Sequence, residues 1–254
     1  MSHEADHATI EVFWRLHEGL SKQGPGSDES TRRALALIPE LPSAPRILDL
    51  GCGPGRQSLL LARETGGHVT AVDLLPPFLE QVDVRAAAEQ LSDHITTVQA
   101  SMGDLSYADE SFDLLWSEGA IYNIGFESGL RAWRRLLRPG CSLAVTECSW
   151  LTDAPAERIR SFWESHYPGM QGHEANQLAV AEAGYELLGS FVLPEVEWWD
   201  DYYTPIGERI AALRKERSDD AWTAALEAEE EEASIVRECD GSFGYVFYVM
   251  RKPQ

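Results

Sequence analysis

The stretch from Ile47 to Arg56, ILDLGCGPGR, limits what this chain can fold into more than any other part of it. An apolar run carries an acid, Asp49, and then delivers Gly51, Gly53 and Gly55 at alternate positions. Glycine is needed where the backbone turns sharply and lies against a ligand, because a Cβ there would collide. Amides at the start of the following helix then face that ligand. The pattern is not the dinucleotide fingerprint. GxGxxG counted from Gly51 requires a third glycine where the chain has Arg56. A Walker loop is absent too, since no GK[ST] follows. The next strand ends at Asp73, and an acid at that place accepts hydrogen bonds from the ribose hydroxyls of an adenosine. Strand, glycine turn, helix, strand and Asp73 in that order point to a ligand cradle rather than to a structural turn alone.

The chain around this loop alternates between two periods. Strand-like runs fall at 46–51, 68–73, 95–100, 112–119 and 142–148. Helical patterns lie between them at 57–64, 77–91 and 129–137, and Pro139-Gly140 reads as a turn before the fifth strand. This alternation indicates parallel βαβ units in a doubly wound sheet. Before it, apolar residues at helical spacing over 8–20 lead to a Gly/Pro break at Gln23–Ser27. Ser27 or Asp28 then caps a helix to about Ile38. After it come helices at 155–166 and 174–183, a strand at 186–193, one or two acidic helices over 205–238, and a strong strand at 244–252. The acidic run Glu229–Glu232 reads as a solvated helix face.

Charge and cysteine content narrow the function. A formal net charge of −21 repels a phosphate backbone, so nucleic acid is not expected as a partner. Cys52, Cys141, Cys148 and Cys239 include no CxxC pair, so no metal or redox site is predicted and the thiols are expected to be free. The polar start, Met1–Ile10, lacks the layout of a secretion signal, and no run is long enough to span a bilayer, so a cytoplasmic location is expected.

These residues resemble the class I S-adenosylmethionine-dependent methyltransferases. ILDLGCGPGRQSLLLA is similar to their first motif and AVD at 71–73 to their second. The segment 106–125 resembles the surroundings of their fourth strand and LLRPGCSLAVTE, 136–147, their fifth. A group of small bacterial methyltransferases is closer still, through KQGPGSDESTRRA (22–34), WSEGAIYNIGFE (116–127) and FVLPE (191–195). The resemblance implies a Rossmann-like, seven-stranded, mostly parallel sheet with an antiparallel last strand and helical insertions that form a substrate cover. It implies one domain over 1–254, with N-terminal helices and a lid in 1–45, a cofactor core in 46–148, and a C-terminal part in 149–254 whose cover spans about 195–240. The implied cofactor is S-adenosylmethionine. Asp49, Gly51 and Gly53 are expected at its methionine end with Gln57 beside them, Asp73 at the ribose and Leu74 against the adenine. Ser101 and Met102 fall where relatives contact the purine, with Asp104 as the substitute if the register slips. Ser117 reaches the cofactor through its backbone, and Gln23 sits in a loop that either folds over it or merely connects two helices.

Methyl transfer from a sulfonium is an in-line displacement, so the protein must hold acceptor and methyl within about 3–3.5 Å and exclude water. Ligands of such sheets lie beyond the carboxyl ends of the strands. Glu118, Tyr122 and Asn123 follow the fourth strand there, and Glu147 ends the fifth. Glu118 either orients and deprotonates the acceptor or serves as a helix cap or ion-pair partner. His166 is a second candidate base, or a structural histidine. Trp150, Tyr167, Trp198 and Trp199 are candidate acceptor contacts, because aromatic faces near carboxylates suit an amine or cation. The expected function is methyl transfer to nitrogen or oxygen of a small molecule by a monomer or homodimer. The alternatives are a protein or RNA acceptor, and a module that binds the cofactor without turnover.

Overall fold

Every apolar run of the central region becomes a strand, and each helical pattern covers one face of the sheet those strands form. The computed structural model describes the backbone of residues 3–254 and, apart from residues 3–8 and 201, their side chains. Met1 and Ser2 of the polar start lie outside the described residues. The strands are β1 (Arg46–Leu50), β2 (His68–Asp73), β3 (Ile95–Gln99), β4 (Phe112–Ser117), β5 (Leu137–Trp150), β6 (Glu186–Val192) and β7 (Phe243–Arg251). They form one sheet in the order β3-β2-β1-β4-β5-β7-β6. The first five are parallel, and β7 runs antiparallel between β5 and β6. The helices are α1 (His3–His17), α2 (Asp28–Ala36), α3 (Arg56–Thr65), α4 (Pro76–Ala88), α5 (Phe126–Trp133), α6 (Glu157–His166), α7 (His173–Glu182), α8 (Val196–Trp198), α9 (Thr204–Glu216) and α10 (Asp220–Glu238).

Alternation along the strands divides the core into two layers. Leu48, Leu50, Leu115 and Val145 face Trp133 of α5 and Val180 of α7. Ile47, Leu114, Trp116 and Ala144 face Leu59 of α3 and Val82 of α4. Two smaller clusters lie beyond the sheet. One joins α1 to α9 and α10 through Val12, Leu16, Ile210, Trp222 and Leu226. The other packs Ile159, Phe162, Trp198, Tyr203, Ile235 and Phe243 beneath the cover. No helix among the described residues is long and apolar enough to cross a membrane. All four cysteines are free, with Cys52 and Cys148 buried.

Two local readings change. Pro139-Gly140 is not a turn before β5 but an irregularity inside it. The pairing with β4 slips between Phe112 and Leu114, and Gly140 takes φ +78°. Between those pairs β4 advances two residues and β5 five, and extra residues of this kind bend a strand without ending it. The second change is at 196–203. There α8 runs into a wide π-helical turn, Trp199–Tyr203, which leads directly into α9. Such turns re-aim side chains that a regular helix would spread over several faces.

Candidate active site

One cavity of about 570 Å³ lies over the carboxyl ends of β1, β2 and β4 and extends under the helical cover. Its floor is the glycine loop. β1 hands over to Gly51, whose φ of +74° belongs to the left-handed region. A Cβ there would run into the Ala120 methyl and lie 3.5 Å from Met102 Cε, so the loop is a cradle that a side chain would fill. Gly51 and Cys52 donate to Val72 O at 2.9 and 3.0 Å, which closes the loop onto β2. Asp73 is held at the wall by two amides. Its carboxylate oxygens accept from Gly53 N and Leu75 N, each at 2.9 Å. Leu74, 58% exposed, lines the same end with Phe78 and Met102. A carboxylate fixed by two donors beside an apolar slot and a bare backbone matches a ribose, a purine and a short chain lying across the strand tips.

The roof of this end is the segment between α1 and α2. Gln23, Gly24 and Pro25 are in the wall. Lys22 makes a buried ion pair with Glu118 at the end of β4. Glu118 also accepts from Thr31 Oγ1 and Trp116 Nε1, both at 2.8 Å. Arg85 of α4 donates to Leu20 O (2.9 Å) and Pro54 O (3.0 Å), tying the roof to the floor. Ser27 caps α2 by accepting from Ser30 N at 3.1 Å. Both Ser27 and Ser30 hydroxyls donate to Glu197 Oε1 of α8, at 2.6 and 2.7 Å.

The far end is aromatic and acidic. Phe13, His17, Tyr122, Asn123, Trp163, Trp198, Tyr202, Tyr203 and Tyr245 line it with Glu229 and Glu232. Trp198 stacks on Tyr203 with centroids 6.2 Å apart, and Tyr202 meets Tyr203 edge-on at 4.9 Å. Tyr203 donates to Glu232 Oε1 at 2.6 Å. Burial pushes the Glu229 carboxyl up to about 7, with the Glu232 charge adding to the rise. His17 is pushed below its ordinary value by burial, and its ring meets Phe13 O (2.8 Å) and Tyr202 Oη (3.1 Å).

A family model described as a methyltransferase domain matches residues 47–140. A malonyl-[acyl-carrier protein] O-methyltransferase from Enterobacter lignolyticus is 38% identical over 191 residues, covering 72% of this chain and 68% of that one. The chain belongs to the class I S-adenosylmethionine-dependent methyltransferases. The 27-O-demethylrifamycin SV methyltransferase of Amycolatopsis mediterranei is 26% identical over 96% of this chain and 93% of its own. The match to a Streptomyces halstedii methyltransferase, at 32% identity, spans only about half the length of that relative, 53%. Among solved structures, a Geobacter sulfurreducens methyltransferase in complex with S-adenosylhomocysteine aligns with TM-score 0.79 and 19% identity over 96% of this chain and 98% of that one. A putative sarcosine dimethylglycine methyltransferase from Galdieria sulphuraria aligns with TM-score 0.76 and 18% identity, over 96% and 98%. The methyl donor of this methyltransferase is S-adenosylmethionine, and the cradle fits it.

The structure brings Gln23, Gly51, Gly53, Gln57, Asp73, Leu74, Met102, Glu118, Tyr122, Asn123 and Trp198 into the wall. Other candidates lie elsewhere. Asp49 is fully buried beneath the loop, accepting from Ser58 Oγ and, at 3.5 Å, from Gln57 Nε2. It anchors the first turn of α3, and burial holds its carboxyl up at about 7. Ser117 Oγ donates to Leu50 O at 2.8 Å, inside the sheet. Ser101 Oγ accepts from Gly103 N at 3.2 Å, and neither Ser101 nor Asp104 is in the wall that Ala100 and Met102 form. His166 is exposed on α6, stacked on Phe162 at 4.1 Å with Nδ1 against Phe162 O, and does not face the cavity. Trp150 packs edge-on against Phe243, and Trp199 lies outside under Arg237, whose Cζ is 4.8 Å from its ring. Glu147 and Tyr167 lie outside the wall. Tyr167 donates to Glu147 Oε1 at 2.5 Å and meets Tyr122 edge-on, and Glu147 Oε2 is buried without a partner.

Glu118 is committed to one cation and two neutral donors, so it holds the roof rather than offering a free base. Sequence reasoning missed Lys22, Phe13 and His17. It also placed Glu229 and Glu232 in solvent, where only Glu230 and Glu231 are exposed. A signal was present. Trp222, Leu226, Glu229, Glu232 and Val236 follow one helical stripe, so two glutamates occupy the inward face of α10.

Proposed function

We propose that this methyltransferase transfers a methyl group to a nitrogen or oxygen of a small molecule enclosed beneath α8, the turn that follows it and α10. The reading rests on the continuity of one cavity from the glycine cradle to an aromatic chamber roofed by side chains from both ends of the chain. When bound, S-adenosylmethionine supplies a methyl carbon on positive sulfur. An acceptor held in line would form its bond to that carbon as the carbon–sulfur bond breaks. The protein's part is placement. Asp73 and the Gly51–Gly53 backbone fix the donor, and Tyr122, Asn123 and the cover fix the acceptor in line within about 3–3.5 Å. The Gln23–Pro25 roof and the aromatic wall keep water out, which strengthens every interaction inside.

Two relatives are consistent with a small acceptor, one named for oxygen methylation of a rifamycin and one structural neighbour named for sarcosine and dimethylglycine. A flat macromolecular acceptor fits less well, because the chamber is walled by side chains of α1, α6, α8 and α10 and the chain carries a formal charge of −21. The test is incubation of the protein with methyl-labelled donor and a metabolite extract, followed by separation of small molecules from protein and nucleic acid. Label in the small-molecule fraction supports the reading. Label only in protease- or nuclease-sensitive material refutes it, and so does cofactor binding with no transfer to any fraction.

A further inference from the structure

The chamber wall has an imbalance of charge that selects among acceptors. Its acids are Asp73 at the cofactor end, Glu118 at the roof, and Glu229 and Glu232 at the acceptor end. The cationic types among the described wall residues are Lys22 and His17. Lys22 is neutralised by Glu118. His17 is held below its ordinary pKa by burial, with both ring nitrogens engaged. Glu232 holds the Tyr203 hydroxyl, while Glu229 makes no hydrogen bond or ion pair with any described residue. The surrounding surface is the stacked and tilted set Trp198, Tyr203 and Tyr245, with Tyr202 edge-on. Trp163 Nε1 is buried there without a partner, a neutral donor in the same wall as the Tyr122 and Tyr245 hydroxyls.

We propose that the acceptor is an amine without a carboxylate, its cationic nitrogen received by Glu229 and Glu232 and its carbon body lying on the aromatic wall. This deepens the small-molecule reading and rests on it. A cation among aromatic faces and carboxylates is stabilised by both. An amino-acid acceptor would bring a carboxylate into a wall with no uncommitted cation to receive it, and burying an unpaired charge is costly. Neutral donors such as the indole N–H and the Tyr122 and Tyr245 hydroxyls suit a hydroxyl or ether on the body, whereas a full negative charge would be buried without a cation. Before transfer the ammonium must give up one proton to expose its lone pair. Glu229, poised near neutrality, accepts it, and the methylated nitrogen then carries the positive charge that sulfur lost.

Three probes of one shape separate the possibilities: phenethylamine, phenylalanine and 3-phenylpropionate, titrated into the full-length protein with S-adenosylhomocysteine present, by tryptophan fluorescence or calorimetry. The expected result is phenethylamine binding at least tenfold more tightly than either carboxylate. E229Q and E232Q are each expected to weaken the amine about tenfold with unchanged S-adenosylhomocysteine affinity, and removing the buried Glu229 charge should leave the melting temperature at or above the parent's. The probe ranking needs no variant, so it stands even if a substitution misfolds. Equal or tighter binding of phenylalanine or phenylpropionate overturns the proposal, as does no measurable amine binding or unchanged affinity in both variants. If any of these occurs while a labelled small molecule still forms in the extract assay, the amine assignment falls and the methyltransferase reading beneath it stands.

Discussion

Breaking the buried pair between Lys22 and Glu118 should have unequal effects from its two sides. The side chains are 7% and 1% exposed. In Glu118→Gln the amide oxygen still accepts from Trp116 and Thr31, but the amide N–H₂ faces the Lys22 ammonium, donor against donor. That strands a buried cation, which costs about 3–5 kcal/mol. In Lys22→Met the carboxylate keeps the Trp116 and Thr31 donors, both at 2.8 Å. Its cost should be about 1–3 kcal/mol. Removing both charges together leaves two neutral groups of similar size, within about 1 kcal/mol of the parent. The double-mutant cycle should therefore show a coupling of at least about 3 kcal/mol. Urea unfolding at pH 7.5, with m-values checked for constancy, measures all four corners. Calorimetry with S-adenosylhomocysteine should show weaker binding in Glu118→Gln, because the Gln23–Pro25 roof loses its anchor on β4. A double variant that costs the sum of the singles, or two singles that each cost under about 1 kcal/mol, would refute the reasoning.

Three further outcomes follow from the same geometry. Gly51→Ala forces a Cβ into the left-handed region, about 1–2 kcal/mol of strain before its collision with Ala120 is counted. S-adenosylhomocysteine affinity should fall at least tenfold by calorimetry, and unchanged affinity would remove Gly51 from the cradle. Asp73→Asn keeps the shape but weakens charge-assisted hydrogen bonds worth about 1.5–3 kcal/mol, so the same ligand should bind roughly 10–100-fold more weakly. Asp49 and Glu147 both reach about 7, raised by burial above the ordinary carboxylate range. Between about pH 4 and 7 the folded chain therefore holds protons that the unfolded chain has released. Stability should fall as pH rises through that window and level off above it. Urea midpoints from pH 4.5 to 8 for the parent and Glu147→Gln check this. The variant should gain on the parent as pH rises, and a parallel pair of curves would show that Glu147 does not titrate in this way.

The cofactor half of the molecule was legible because its signals are local. The glycine spacing after β1, the acid ending β2 and the strand–helix alternation are each set by a few neighbouring residues. The seven-stranded, mostly parallel sheet and the antiparallel β7 followed from the resemblance those residues carry, while the strand order came from the structure. The acceptor half was legible only in residue type. Trp198 reaches the chamber and Trp199 does not, and the difference is made by a π-helical turn that no simple periodicity announces. Glu147 and Tyr167 satisfied every compositional test for an acceptor site yet lie outside the wall, because β5 runs on to Trp150 and pairs with β7 to its end. Lys22 looked like one lysine beside a loop. Its importance comes from a partner 96 residues away, and spacing in sequence carries no record of such a contact.

The roof over the cofactor end and the cover over the acceptor end are built from chain segments remote from the central βαβ units, and the hydrogen bonds explain why they act as one wall. Ser27 does two jobs with one hydroxyl. It accepts from Ser30 N to start α2, and it donates to Glu197 on α8. Thr31, on the next turn, reaches Glu118 at the sheet. The first turn of α2 is thus pinned at once to the cover, through Glu197, and to β4, through Glu118. A shift of the cover cannot occur without pulling on the loop that closes over the donor, because both are attached to the same four residues, Ser27 to Ser30, and their neighbour Thr31. Displacements of α8 and of the Gln23–Pro25 segment should therefore be coupled. A substitution at Glu197 should accordingly be felt in cofactor affinity as well as in acceptor turnover, although its side chain touches neither end of the cavity directly.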